Sequence, residues 1–334
     1  MLFDCGNVTQ IPRAECEALA TLYQSTNGPA WANQGGWLTN NAPCSWQGVA
    51  CEGGRVTRLV LISNALSGTI PSSLGNLSQL RWLQLSSNQL TGNIPSALGN
   101  LSALHTLYLY NNPLEGNIPT ELGDLAALTN LDLSQTHLQG AIPAALGNLA
   151  NLEYLDLSVA RLSGSLPDTL GNLRQLRALN IENNALSGEV PRSITQLINL
   201  GAAGWARVSF GYNMLYASDP EVRAFLAARD PAWESTQTTP PRELRISDIT
   251  RTTIALSWTP IPYTADGGYY EVHYASAANG PYALHGVTGN KAADGYVAMG
   301  LNPGDTYWWV VRSYTPPHGM QANALFSEFT TEIS

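Results

Sequence analysis

The stretch IPSALGNLSALHTLYLYNNPLEGN, residues 94–117, decides how this chain folds. Its opening pair, an aliphatic residue followed by proline, recurs every 24 residues, at Ile70-Pro71, Ile94-Pro95, Ile118-Pro119, Ile142-Pro143, Leu166-Pro167 and Val190-Pro191. A fixed period of this length is typical of a solenoid, in which each unit stacks on the next. A solenoid offers a long open surface and has no pocket built into its fold, so we expect binding rather than catalysis.

The leucines of each unit predict a strand with one buried face. In residues 80–85, LRWLQL, Leu83 and Leu85 alternate and therefore lie on the same side of a strand. An asparagine after the strand can hydrogen-bond the backbone of the neighbouring coil, where polar groups cannot reach water. These asparagines are Asn64, Asn88, Asn112, Asn184 and Asn213. Thr136 and Ala160 replace them in two coils, and we interpret both as substitutions tolerated in mid-stack.

The full unit pattern, I-P-x-x-L-G-x-L-x-x-L-x-x-L-x-L-x-x-N-x-L-x-G-x, resembles the plant-type leucine-rich repeat over residues 54–216. The resemblance implies an α/β right-handed superhelix with a parallel sheet on its concave side. Short helical turns are then expected on the convex side. This class occurs in plant receptor ectodomains and in some bacterial surface proteins, so it implies a recognition surface.

All four cysteines lie in a predicted N-terminal cap, residues 1–53. Four cysteines allow three pairings, and proximity in the sequence favours Cys5 with Cys16 and Cys44 with Cys51. Residues 44–51, CSWQGVAC, resemble the C-x-W-x-G-V-x-C element of plant-type caps. A zinc site is the rival interpretation, although the sequence has no C-x-x-C spacing and no cluster of histidines. Disulfides indicate an oxidising location, which is the periplasm, the cell surface or the outside.

Composition limits the kinds of partner that this chain is expected to bind. The chain has 334 residues, a formal net charge of −9 and only 12% charged residues, which argues against nucleic acid. No apolar run approaches the roughly 18 residues that a membrane-spanning helix needs. No signal peptide follows Met1. We expect an extracellular or cell-surface protein whose leader has been removed or whose sequence is part of a longer one.

The repeats are followed by a second cap and a linker. Residues 217–234 predict a C-terminal cap helix, because Asp219-Pro220 is typical of a helix start. Val222, Phe225 and Leu226 then share its apolar face. This cap resembles those of bacterial repeat proteins. Residues 235–241, STQTTPP, predict a short and rather stiff linker.

Residues 242–334 change to a period of two, which predicts an all-β sandwich. The segment resembles a fibronectin type III domain. Trp258 falls where that family keeps its buried tryptophan, and residues 301–307, LNPGDTY, match its tyrosine corner. The resemblance implies that Tyr307 bonds back to the backbone. Together with the bacterial-style caps, this domain favours a bacterial surface or secreted protein.

Candidate ligand-binding residues come from the concave face, where side chains that flank the inward leucines point outward. The predicted contact residues are Trp82, Tyr108, Tyr110, Asp132, Tyr154, Asp156 and Glu182. Aromatic side chains are common in interfaces, although scattered exposed aromatics are also normal. Asp132 and Asp156 are one period apart, so we expect neighbouring carboxylates. We interpret that pair as a solvated acidic patch rather than a catalytic dyad.

One irregularity interrupts the last unit. Five extra residues fall around Gly201–Trp205, between Val190 and Asn213. Such an insertion can form a functional loop. We favour a structural role, in which Trp205 seals the last coil or docks the sandwich domain.

The sequence thus predicts a monomeric, non-enzymatic recognition module that binds a peptide or protein. None of its five histidines has the spacing of a catalytic triad or a metal site, so we predict no catalytic residue, metal or cofactor. Two alternatives stay open. One is a structural adhesin segment that only provides reach, and the other is a glycan-binding or glycan-cleaving protein.

Overall fold

The structure, a computed structural model, describes residues 3–202, 207–264, 266–319 and 321–334. Of the predicted insertion, it describes Gly201 and Ala202, whereas Trp205 lies outside the described residues. Within the described ranges, no helix is both long and apolar enough to cross a membrane.

The N-terminal cap is built on helix α1 (Arg13–Ser25) and three short 3-10 helices, at Cys5–Asn7, Gly28–Ala30 and Pro43–Ser45. Both predicted disulfides are confirmed. Cys5 pairs with Cys16 and Cys44 pairs with Cys51, with Cα–Cα distances of 5.7 and 5.5 Å. Between them, Trp31, Trp37 and Trp46 are buried with their rings in contact, and this cap covers the leucines of the first coil.

The described residues of the N-terminal cap and the repeats contain fourteen strands, all short. In chain order they are β1 (Val49–Glu52), β2 (Arg55–Val60), β3 (Ser67–Thr69), β4 (Trp82–Gln84), β5 (Gln89–Thr91), β6 (Thr106–Tyr108), β7 (Asn130–Asp132), β8 (Gln139–Gly140), β9 (Tyr154–Asp156), β10 (Arg161–Gly164), β11 (Ala178–Asn180), β12 (Ala185–Glu189), β13 (Val208–Ser209) and β14 (Met214–Tyr216). The concave sheet has the order β1-β2-β4-β6-β7-β9-β11-β13. Its strands are parallel except for β1, which pairs with β2 as an antiparallel hairpin of the cap.

The convex side of each coil is a single 3-10 turn, as the resemblance implies. These turns span Ser72–Asn76, Ser96–Asn100, Thr120–Asp124, Ala144–Asn148, Asp168–Asn172 and Arg192–Gln196. The glycine in each L-G pair of the pattern lets neighbouring turns touch. A Cβ on Gly99 would lie 2.4 Å from the carbonyl oxygen of Glu121, so only glycine fits this close approach. The leucines between turn and strand form one continuous core.

The asparagines make the predicted hydrogen bonds to the backbone of the neighbouring coil, and together they form an asparagine ladder along the stack. Asn112 accepts a bond of 3.0 Å from the Leu90 amide, and its own amide donates to the carbonyls of Leu85 and Leu109. The hydroxyl of Thr136 keeps one such bond, to the carbonyl of Leu133.

The ladder continues into the segment predicted as a linker. Gln237 is 1% exposed, accepts a bond from the Leu215 amide and donates to the Phe210 carbonyl, so it acts as a last rung. The next residue, Thr238, is also buried and donates its backbone amide to the carbonyl of Asn213. This part of residues 235–241 is therefore packed against the repeats rather than extended in solvent. Polar residues in a Pro-rich stretch resemble a linker in sequence, and only the tertiary contacts distinguish the two.

Helix α2 (Pro220–Ala227) closes the far end of the stack. Its start is as predicted, because the Asp219 side chain accepts a bond from the amide of Glu221. Val222, Leu226 and Trp233 are buried against the last coil. A 3-10 helix, Glu234–Thr236, follows.

The C-terminal domain is a sandwich of two antiparallel sheets. Its strands are β15 (Arg242–Ile249), β16 (Thr253–Thr259), β17 (Tyr269–Ala275), β18 (Ala283–Val287), β19 (Gly295–Met299), β20 (Trp308–Thr315) and β21 (Leu325–Phe326). The sheets have the orders β15-β16-β19 and β18-β17-β20-β21. Trp258 is 5% exposed in the core, and the Tyr307 hydroxyl accepts a bond of 3.0 Å from the backbone amide of Asn302, as expected of a tyrosine corner.

The two domains are joined by a polar seam. Its sandwich side is the loop between β20 and β21. There the Gln321 amide donates to the backbone carbonyls of Asn184 and Tyr212, and the Asn323 amide donates to that of Ala160. Gln321 is 1% exposed, so the repeats enclose its side chain.

A buried cluster lies beside this seam. Thr238 and Thr315 share a hydrogen bond of 2.6 Å, and the ammonium group of Lys291 reaches both Thr315 and the Asp266 carboxylate. Lys291 is the chain's single lysine and is fully buried. Its carboxylate partner is what makes burial of its charge tolerable.

Candidate functional site

The concave sheet brings the central predicted residues together. Strand register pairs Tyr108 with Asp132 and Asp132 with Asp156, so these three residues form one row across adjacent coils. Asn180 continues the row after Asp156. Tyr154 begins the strand that ends at Asp156 and lies in the neighbouring row.

The two aspartates are buried, which differs from the predicted solvated patch. Asp132 is 8% and Asp156 is 9% exposed. Each sits in an Asp-x-Ser sequence, and Ser134 donates both its amide and its hydroxyl to Asp132 Oδ1. Ser158 does the same for Asp156. Neighbouring side chains cover the carboxylates, an effect that strand alternation alone does not predict.

Tyr154 lies between the two carboxylates. Its hydroxyl is 3.2 Å from Asp156 Oδ2 and 3.4 Å from Asp132 Oδ2. A hydroxyl has one proton to donate, so it cannot satisfy both carboxylates at once. Asn180 donates a further bond of 3.1 Å to Asp156. Asp132 is therefore the less well satisfied of the pair.

Burial also governs the ionisation of this group. Loss of solvent raises the pKa of Asp132 to about 6, and the nearby charge of Asp156 adds to the increase. The pKa of the Tyr154 phenol is raised in turn, first by burial and then by the two carboxylates. Tyr154 therefore stays protonated and acts as a donor toward the carboxylates at any physiological pH.

The remaining aromatic residues flank this centre. Tyr108 and Tyr110 are partly buried, with ring centroids 6.2 Å apart. Trp82 stacks on His105, with a centroid distance of 6.3 Å. These rings give the concave face an apolar side next to the buried carboxylates.

Glu182, the last predicted contact, is already engaged. It forms an ion pair with Arg207 and accepts a bond from the Ser209 hydroxyl. The structure therefore brings Tyr108, Asp132, Tyr154 and Asp156 together, while Glu182 belongs to a separate pair nearer the C-terminal end. Among the described residues, no group of three or more His, Cys, Asp or Glu side chains could hold a metal ion.

Sequence reasoning missed the serines that hold the carboxylates. The signal was present, because the sequence L-D-L-S spans the end of the strand in two adjacent coils, at residues 131–134 and 155–158. The equivalent strand at residues 83–86 reads L-Q-L-S, and there the hydroxyl of Ser86 is buried with no hydrogen-bond partner among the described residues. An aspartate two residues before the serine therefore accepts a bond from the serine hydroxyl, whereas the glutamine at the equivalent position, Gln84, does not.

Comparison with known families agrees with the architecture. A leucine-rich repeat region model matches residues 55–200, and a fibronectin type III domain model matches residues 239–322. Phytosulfokine receptor 2 of Arabidopsis thaliana is 52% identical over 54 residues, which are 15% of this chain and 5% of that receptor.

Two solved structures resemble the repeat region. One is the ectodomain of the plant membrane receptor kinase GASSHO1/SCHENGEN3 from Arabidopsis thaliana, in complex with CASPARIAN STRIP INTEGRITY FACTOR 2. It has a TM-score of 0.56 and 34% identity, over 60% of this chain and 24% of that one. The other is a plant ice-binding protein, with a TM-score of 0.55 and 30% identity, over 62% of this chain and 66% of that one.

The chain thus matches only a small part of the receptors' length. These relatives are plant proteins and do not support the bacterial origin predicted from the caps. They also differ from one another in function, so the shared fold alone does not assign one. The chain contains a leucine-rich repeat solenoid like those of plant receptor ectodomains, joined to a fibronectin type III domain.

Proposed function

We propose that this protein is an extracellular recognition module that binds a peptide or protein segment on the concave face of its repeats. The observation that carries the proposal is the Tyr154 hydroxyl held between the Asp132 and Asp156 carboxylates. The tyrosines Tyr108 and Tyr110 lie beside it. A ligand can replace an incompletely satisfied contact here with a stronger, charge-assisted one.

The chemistry of this surface favours one kind of ligand. Two carboxylates and one shared phenol proton leave acceptor capacity for a cationic group, such as a lysine, an arginine or an amino terminus. The neighbouring rings offer faces for an aromatic or aliphatic side chain. An extended peptide that presents a basic residue next to an apolar one fits both features.

The relatives support a binding role. One solved ectodomain that resembles this chain is in complex with a named factor, and a stretch of 54 residues is similar to phytosulfokine receptor 2. The two disulfides are consistent with an extracellular location.

A peptide-library screen provides the test, followed by titration of the best binder. Tyr108→Ala should lower affinity about 30-fold, which corresponds to about 2 kcal/mol for an interface hot spot. Asp132→Asn should weaken binding of a cationic peptide and reduce its dependence on salt. Ser96→Ala, on the convex side, is the matched control and should bind like the wild type.

Three outcomes contradict the proposal in different ways. Equal affinity of all three variants would move the site away from the concave face. Absence of any binder would favour a structural adhesin segment. Binding or cleavage in a parallel glycan panel, lost in Asp132→Asn, would favour the glycan alternative.

A further inference from the structure

The single lysine of this chain lies where lysines are rarely found. All but one of its 16 Lys and Arg side chains are arginines. The exception, Lys291, is fully buried against Asp266, whose side chain is also fully buried. Lysine is almost never completely buried unless it is paired. Arginine carries the same charge but is not deprotonated in proteins, so this position keeps the only basic side chain that can become a neutral amine.

The Lys291 amine is held in place on several sides. Its nitrogen, Nζ, contacts Asp266 Oδ2 directly and donates a bond of 2.8 Å to the hydroxyl of Thr315. The ring of Tyr263 covers it, with the ring centroid 4.5 Å from Nζ. The Thr315 hydroxyl is fixed in turn by its bond of 2.6 Å with Thr238. The amine therefore faces one carboxyl group in a site without solvent exposure.

The carboxyl group of Asp266 is held from its other side. Its second oxygen, Oδ1, accepts a bond of 2.9 Å from the backbone amide of Gly268. A Cβ on Gly268 would lie 2.0 Å from the carbonyl oxygen of Tyr314, so only glycine brings this amide into position. A backbone N–H at this distance is the donor that stabilises negative charge on a carbonyl oxygen during acyl transfer.

Burial favours the neutral forms of the two groups. It lowers the pKa of the Lys291 ammonium, and the hydrogen bond to Asp266 opposes that change. Transfer of one proton from the ammonium to the carboxylate removes both charges from the buried site. A neutral lysine amine is a nucleophile. Its fixed position beside the carboxyl group replaces a collision between two separate molecules.

We propose that Lys291 and Asp266 join in an intramolecular amide bond, a covalent cross-link formed by the protein's own side chains. After the proton transfer, Nζ attacks Cγ of Asp266, and the C–N bond forms as an electron pair moves to Oδ1, where the Gly268 amide stabilises it. The electron pair then returns and the bond from Cγ to Oδ2 breaks. Oδ2 leaves as water with the acid proton and one proton of the amine, so no oxidant, reductant or other reactant is consumed.

The cross-link would tie two loops of the sandwich together. Asp266 lies in the loop between β16 and β17, and Lys291 lies in the loop between β18 and β19. Thr315, at the end of β20, connects the site to Thr238, which is packed against the repeats. The covalent bond would therefore fix the end of the sandwich that docks on the solenoid.

The composition of the chain makes the amide easy to detect. Because Lys291 is the only lysine, a lysine-specific protease should cut the denatured chain once, into residues 1–291 and 292–334. An amide on Nζ removes the charge that the protease recognises, so the denatured wild type should remain uncut. Asp266→Ala should be cut into the two fragments, and this result does not depend on how well the variant folds. Asp248→Ala, an exposed change on β15, is the matched control and should resist cleavage like the wild type.

Intact mass measurement distinguishes the amide from another loss of water. The wild type should be lighter than its calculated mass, with both disulfides closed, by one water molecule. Asp266 precedes Gly267, and an Asp-Gly pair can also lose water by closing a succinimide on its own backbone. Lys291→Arg keeps the positive charge but cannot form the amide, so it should show the full calculated mass. Cleavage of the wild type, a wild type of full mass, or a loss of water that persists in Lys291→Arg would each overturn the proposal.

Discussion

Asn323 in the fibronectin domain donates a hydrogen bond of 2.9 Å to the backbone carbonyl of Ala160 in the repeats. Ala160 is one of the two positions where the ladder asparagine is missing. The preceding residue, Val159, has φ of 54°, close to the values of Asn111 and Gln135 at the equivalent positions of other coils, although this conformation is unusual for a β-branched side chain. The loop of the fibronectin domain therefore contacts the coil that lacks the ladder asparagine. Ala160, interpreted from the sequence as a substitution tolerated in mid-stack, lies at a contact between the two domains.

Removal of the seam amides should release the sandwich from the repeats. Gln321→Ala with Asn323→Ala deletes the described side-chain bonds to Asn184, Tyr212 and Ala160, each worth about 1 kcal/mol. We expect a larger radius of gyration by small-angle scattering and a separate calorimetric transition for the sandwich. Ser247→Ala, an exposed change on β15, should alter neither. A scattering curve unchanged in the double variant would show that these bonds do not fix the domain arrangement.

Repair of the ladder should stabilise the repeats. Thr136→Asn can supply a side-chain oxygen that accepts from the backbone amide of Leu114, as Asn112 Oδ1 does from that of Leu90. We expect a gain of about 1 kcal/mol in the free energy of unfolding. Asn184→Ala is the opposite change and should cost about 2 kcal/mol, because it leaves buried backbone groups unpaired. Urea denaturation measures both, and a destabilised Thr136→Asn would mean that the coil has adapted to threonine.

The buried carboxylate predicts a pH dependence of stability. The pKa of Asp132 is raised to about 6 in the folded state, so the folded protein binds this proton more tightly than the unfolded chain. Its stabilising contribution is complete below the unfolded value of 3.8 and is lost as pH rises through about 6.

Asp132→Asn is neutral at every pH, so its advantage over the wild type should grow between pH 4 and pH 7. The limit set by the pKa shift is about 3 kcal/mol. Denaturation midpoints at both pH values provide the measurement, with Asp124→Asn, exposed on the convex side, as the control. An advantage independent of pH would show that Asp132 titrates normally.

The sandwich core offers a test of strand register. Trp258→Ala removes a buried ring and its bond to the Ala293 carbonyl, and should cost about 3 to 5 kcal/mol. Tyr307→Phe should cost about 1 kcal/mol, because the Asn302 amide loses its acceptor. Thermal denaturation of the full chain, followed at the sandwich transition, gives both values. Similar losses for the two variants would contradict the assignment of Trp258 to the core.

The repeat fold was predictable because its information is local and periodic. The positions of Leu83 and Leu85 are apolar in every coil, and adjacent coils bury the same positions, so a short pattern determines the whole stack. The caps were predictable because each open end of the stack needs cover. The cysteines and Asp219-Pro220 lie next to those ends in the sequence.

The candidate site was predictable only in part. Strand alternation placed Tyr108, Asp132 and Asp156 on one face, but their burial depends on the sizes of side chains in three coils. The seam was not predictable at all, because Asn323 and Ala160 are 163 residues apart and neither lies in a motif that indicates the other. Gln237 was missed for a related reason, since a glutamine takes over the role of an asparagine in a segment without the repeat pattern.

The seam also restricts how the number of repeats can change in evolution. Its acceptors, Ala160, Asn183, Asn184 and Tyr212, lie in three consecutive coils at the C-terminal end. Duplication or loss of a 24-residue unit between these coils would separate acceptors that one loop must reach together. The same event between the N-terminal cap and Ala160 would leave them in place. Homologues that keep the docked sandwich should therefore vary in length only on the N-terminal side of the seam.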